Sequence, residues 1–305
     1  MTSVKHTTTV RFVITLAALS LILATVHTTQ AQLNSSRARG ALRRMAGIEL
    51  TNGAVRVKTI TGTSKTTADV TAELRTVFRL EQDDAGHWRV AEVRVAQDRW
   101  EDVALISSAL SAPLPVDECS APGFQLGRKA PIEPTPKRVR CLLGALSGIS
   151  VPSDAIRIQE IAPSPVPLAS RESATVVAWI GVEARAVADS KGWRISEIRT
   201  GNRDWVNLDQ LVVAVNQQKQ NRARTDMQRI AEALERYRAD KGAYLVSDSH
   251  AVLIDHLSPA YIRDVIRLDP WRQPYKYAGQ RDTFTLVSPG PDGKDGTADD
   301  ITRSK

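Results

Sequence analysis

The sequence predicts an α+β protein: two tandem helix-plus-antiparallel-sheet repeats, followed by a domain in which a long helix packs on a small antiparallel sheet carrying an acidic loop. Three observations predict it. The chain repeats itself, "HWRVAEVRVAQDRWEDVALI" at 87–106 aligning with "GWRISEIRTGNRDWVNLDQL" at 192–211. Within each copy the apolar residues change from helical spacing to strict alternation. The last ninety residues hold one long helical pattern, then short alternating runs, then a glycine-broken loop with four aspartates.

The N-terminus comes first. Lys5 and Arg11 precede the apolar run Phe12 to Val26, which is short for a bilayer span, and small Thr29 and Ala31 follow where a signal peptidase reads. Residues 1–31 are therefore expected to be a secretory signal peptide, with a mature start at Gln32; the competing reading is an uncleaved anchor. Either way the protein leaves the cytoplasm and is secreted or periplasmic. Contact with the membrane is expected only through that N-terminal segment, if it is left uncleaved.

The first repeat is assigned to 32–112 and the second to 142–216. Trp88, Arg89, Glu92, Arg94 and Trp100 fall on Trp193, Arg194, Glu197, Arg199 and Trp205, and "MAGIELTNGAVRV" matches "LSGISVPSDAIRI" upstream. Units of this length are small domains rather than solenoid repeats. Leu42, Met45 and Ala46 sit at helical spacing before a glycine, as do Leu143, Leu146 and Ser147. "AVRVKTI", "VTAELRTVFRL" and "ATVVAWIGVEARAV" alternate as strands, "DDAG" and "DSKG" read as hairpin turns, and "WRVAEVRV" and "WRISEIRT" as the return strands. This element order resembles that of the cystatin-like and nuclear-transport-factor-like groups. The repeated Trp and Glu are read either as core or as the lining of a pocket.

Between the repeats lies a proline-rich linker, 113–141, bracketed by the only two cysteines, Cys119 and Cys141. Export permits a disulfide, and closing such a loop stabilises by about 3 kcal/mol in the chain-entropy account. Two free buried thiols are the alternative.

A helix is predicted from an Asn207 N-cap to Gly242, apolar at both ends and polar through "NQQKQNRART". That polar middle sets the start of a last domain, 217–305. Its segments "MQRIAEALERYRADKGAY", "LSPAYI", "DPWRQPYKY", "TFTLVS" and "GPDGKDGTADDI" come in an order that resembles the periplasmic domain of the major pseudopilin of type II secretion systems, over Arg222 to Ile301. The resemblance implies a loop that binds one calcium ion. It puts Asp292, Asp299 and Asp300 on the ligand positions, with one or two backbone carbonyls near Pro289 completing the shell. Asp295 is expected to face solvent. The loop is not an EF-hand, because Lys294 stands at an acidic position and no glutamate closes it. Arg272 departs from the glycine usual in the family, so its turn is expected to be of another type or strained. A prepilin leader is also missing ahead of the apolar run, so the domain is expected to be a pseudopilin-like head carried on a different exported protein.

The formal charge of +7 is spread along the chain without a basic run of five, which argues against a nucleic-acid partner. No Gly-rich phosphate loop occurs, and His87, His250 and His256 stand beside no nucleophile motif, so no enzymatic activity is expected. Two functions remain. One is a non-catalytic, calcium-stabilised accessory or partner of a secretion or pilus-type assembly, with protein partners there. The other is an envelope ligand-binding protein whose tandem repeats form the site.

Overall fold

The computed structural model describes residues 32–62, 64–83, 86–111, 119, 134–149, 154–163 and 173–305. The expected signal peptide and most of the proline-rich linker lie outside them.

Two long strands organise the N-terminal two thirds, here called the body. β4 (Thr67–Gln82) and β8 (Ser173–Asp189) run antiparallel, paired from Thr67 with Val187 to Glu81 with Ser173. Each carries two shorter strands on its other edge. β3 (Val55–Gly62) and then β5 (Trp88–Arg94) line β4, while β7 (Ile156–Pro163) and then β9 (Gly192–Arg199) line β8. Short strands β6 (Trp100–Asp102) and β10 (Val206–Asn207) complete the two ends. The strands are β-branched and alternating, so one sheet face is apolar and the other polar.

That apolar face holds two cores, and neither belongs to one stretch of sequence. Helix α1 (Ser35–Arg43) buries Ala38 and Leu42 against Val55 and against Val70 and Leu74 of β4. The same core takes Val182 and Ala184 from β8, Ile195 from β9, and Leu208. Helix α3 (Pro136–Ser147) buries Val139, Leu142 and Leu143 against Ile156 and the first half of β8, but also against Phe78, Leu80 and Trp88 from the other half. The helix of one half thus covers strands of both.

Both helices begin on side-chain caps, Asn34 to the Arg37 N–H and Thr135 to the Arg138 N–H. Their ends differ. α3 runs to Ser147 and stops at left-handed Gly148, as its sequence suggests. α1 stops at Arg43, earlier than its apolar spacing suggests, and Met45 belongs to a two-residue ribbon, β1 (Arg44–Met45) with β2 (Ile48–Glu49). The cause is tertiary: Gly47 turns there with φ +73, and a Cβ on it would stand 2.8 Å from Val212 of the last long helix. Cys119 and Cys141 are bonded, with Cα atoms 5.5 Å apart, and tie one linker residue to α3.

Helix α4 (Leu208–Lys241) spans from its Asn207 cap to left-handed Gly242 and leads from the body into the C-terminal head. Its polar middle remains helical because it is bridged on both sides. Asp226 accepts from Arg222 four residues earlier, and buried Lys219 pairs with Glu101 of β6 at 2.6 Å. The head adds α5 (His250–Leu257) and a sheet of β11 (Lys276–Gly279), β12 (Phe284–Ser288) and β13 (Ile301–Ser304). Its core runs from Met227, Ile230 and Leu234 to Tyr275, Phe284 and Leu286, all within the head's own sequence, so residues 217–305 carry a complete core. Short α2 (Val103–Ala109), capped by Asp102, packs beside α4.

Candidate calcium loop and the cleft beside it

The acidic loop joins β12 to β13 and is held at both limbs. Ser288, fully buried, donates its hydroxyl to Asp269 Oδ2 at 2.6 Å. The other oxygen of Asp269 accepts the N–H groups of Trp271 and Gln273 at 2.9 Å each, which fixes the "DPWRQP" turn to the root of the loop. Pro289 and Gly290 are buried next in line. Gly290 has φ +67, and a Cβ there would stand 2.5 Å from the carbonyl oxygen of Asp299, so the limbs touch where only glycine fits.

The three expected carboxylates gather about one hydroxyl. Thr297 Oγ1 stands 2.6 Å from Asp299 Oδ1, 3.3 Å from Asp300 Oδ1 and 3.4 Å from Asp292 Oδ1, with the Lys294 carbonyl at 3.2 Å. A hydroxyl donates one hydrogen bond, so it satisfies one of these oxygens and leaves the others to each other. Backbone N–H groups share the load: Lys294 donates to Asp292, Asp292 to Asp299, and Gly296 to Asp300. The Thr297 hydroxyl, followed by the Asp292 N–H, holds the Asp299 carboxyl below the usual carboxylate range. Asp295 turns away and pairs with Lys276 at the surface.

The donors are oxygen throughout, which suits a hard cation. Among the described residues no group of three or more His, Cys, Asp or Glu side chains stands in a metal-holding arrangement. The carboxylates are collected around Thr297 rather than spread into a shell. Thr297, Asp269 and Ser288 carry no distinctive mark in the sequence: a threonine two residues before an aspartate is an ordinary turn signal, and the Asp269–Ser288 bond spans nineteen residues.

Beside the loop a cleft of about 440 Å³ separates head from body, with Pro291, Asp292 and Gly293 on its rim. Val212 and Val215 of α4 and Ile106 of α2 line it, together with Trp100 of the body and Trp271 of the head. Trp271 donates its indole N–H to Asn216 on α4 at 3.1 Å. Arg272, expected to strain its turn, does adopt φ +66. Its guanidinium crosses to the body and pairs with Glu92, which also holds Arg79. Crowding by burial and by Arg79 lowers the pKa of Arg272. The repeated tryptophans divide: Trp88 is core, whereas Trp100 lies under the Arg79 guanidinium on the polar face of the sheet.

The histidines have local partners. His87 Nδ1 stands 3.2 Å from Asp83, His256 Nδ1 donates to the Val252 carbonyl, and buried His250 donates Nε2–H to the Ile266 carbonyl at 2.8 Å. No helix among the described residues is long and apolar enough to cross a membrane.

No curated protein and no solved structure matches the chain. The family described as type II secretion system (T2SS), protein G, matches at residues 210–304. That stretch covers α4, α5, the three-stranded sheet and the acidic loop, so it is the head, and not the body, that is similar to this secretion-system component.

Proposed function

We propose that the protein is a non-catalytic exported protein whose pseudopilin-like head, stabilised by calcium, acts as an accessory or partner of a secretion or pilus-type assembly. The observation that carries this reading is the match of 210–304 to T2SS protein G, a component of such an assembly rather than a catalyst. The loop adds support: Asp292, Asp299 and Asp300 are the acidic groups gathered at Thr297, and backbone carbonyls near Pro289 would complete their shell. A bound cation would offset the mutual repulsion of the carboxylates and fix β13 to β12. Envelope localisation and the signal peptide belong to the same reading. So does descent of the body from a duplicated unit, which its equivalent bulges at Val57/Thr59 and Ile158/Glu160 favour.

The test is deletion of residues 217–305 in the producing cell, followed by measurement of the proteins released by its type II system. Reduced release, restored by the intact chain, is expected; undiminished release contradicts the role. A second reading, an envelope ligand-binding protein, is favoured by the cleft between Trp100 and Trp271. On that reading the tandem repeats form the site, and the cleft adds the head as a further wall to it.

A further inference from the structure

The polar face of the body presents the same three side chains twice. In the first half, Arg79 pairs with Glu92 and lies 4.3 Å above the Trp100 ring. In the second, Arg185 donates to Glu197 at 2.9 Å and lies 4.1 Å above Trp205. The positions correspond in detail. Arg79 and Arg185 each mark the bulge where a long strand meets its return strand. Asp102 and Asn207, two residues past each tryptophan, each cap the helix that follows.

Two things differ: in the second half Arg199 also lies 4.7 Å above Trp205 and Asp69 stands 3.9 Å from Arg185, and the cover is not the same. The Glu92 side chain is 11% exposed because Arg272 of the head docks on its second oxygen. Glu197 is 30% exposed, and Arg185 is 45% exposed against 16% for Arg79. Among the described residues there are therefore two such acceptors and one head.

We propose that the Arg185–Glu197–Trp205 face is a second docking seat, for a head-type domain of another protein that presents an arginine or lysine on a proline-flanked turn. The first seat states this chemistry: a guanidinium from "DPWRQP" meets a glutamate already oriented by an arginine stacked on tryptophan. A second copy of this chain fits less well, since its own Arg272 already holds Glu92 and leaving one seat for the other gains no contact. Val206 replaces Glu101 in the second seat, so the occupant lacks the partner that Lys219 finds in the first. The kind of occupant rests on reading the head as part of an assembly; the seat itself rests on the geometry of the two triads.

The probe is residues 217–305 of this chain, titrated by calorimetry into the full chain, whose first seat its own head fills. Saturable one-to-one binding is expected, with the Trp205 indole N–H signal shifting and that of Trp100 unmoved. Glu197→Gln in the full chain, or Arg272→Gln in the probe, should weaken it roughly thirtyfold or more, as loss of one partner of a charge pair covered on docking does. Glu92→Gln should leave it unchanged. No saturable binding by a folded probe overturns the seat, and so does binding that survives Glu197→Gln or is lost only with Glu92→Gln. Either failure is distinguishable from failure of the proposed function, because the calcium response is read on the head alone and release is read by removing and restoring the head, with Glu197 unchanged.

Discussion

In the head every core residue lies between Met227 and Ile301, whereas each core of the body joins strands from two stretches about a hundred residues apart. Both use a helix to cover an apolar sheet face, but only the head does so with neighbours in sequence. The core of the head is contained in its own stretch of sequence, whereas the halves of the body, joined through β4 and β8, share theirs.

The sharpest way to break that contrast is to cut the chain. Residues 32–112 alone should lack a cooperative unfolding transition, because Val182, Ala184 and Ile195 are missing from their core, while 217–305 should melt cooperatively by circular dichroism. A cooperative melt of 32–112 would show that the halves are independent after all. Within the intact chain, calorimetry should separate body from head. Leu234→Ala in the head and Leu143→Ala in the body each remove a fully buried side chain and should cost about 2–5 kcal/mol, each in its own transition. If both substitutions lowered one shared transition equally, head and body would be a single cooperative unit.

A change of pH should touch the head more than the body. His250 donates from Nε2 while its buried Nδ1 has no partner, and burial lowers its pKa below the ordinary histidine value. The native head therefore binds a proton less readily than the unfolded chain does. The stabilisation by neutral His250 is complete above the unfolded value of about 6.5 and is lost as pH falls from there through the folded pKa. Melts of 217–305 between pH 7.5 and 5 should show the decline, and His250→Gln should flatten it. The smallest effect is expected at the boundary. Arg272→Gly relieves a left-handed backbone by about 1–2 kcal/mol but removes the pair to Glu92, so the head transition should move little. A large loss would mean that the ion pair, and not the turn, holds the head in place.

Local rules in the sequence were readable, and long-range ones were not. Asn207 and Gly242 bound α4 as their chemistry requires, and the β11–β12 hairpin follows from its alternation. The end of α1 departs from its apolar spacing because Gly47 obeys Val212, far away in sequence. Strand β13 has a single half-buried apolar residue, Ile301, and offered no alternation to find. Pairing of β4 with β8 could not be inferred from two copies that each read as a complete meander. At the site, Asp292, Asp299 and Asp300 are marked by a motif, while Thr297, which draws them together, carries only an ordinary turn signal.

The claim that the loop is a calcium site is tested most directly by thermal melts of the head with calcium, magnesium or chelator. Ion held at a hundred times its dissociation constant should stabilise the fold by about 2.7 kcal/mol. Calcium should raise the midpoint well beyond magnesium, which demands a tighter octahedron, and Asp292→Asn or Asp299→Asn should abolish the difference. A midpoint that responds no more to millimolar calcium than to magnesium, or a calcium response that survives Asp292→Asn, would contradict the account.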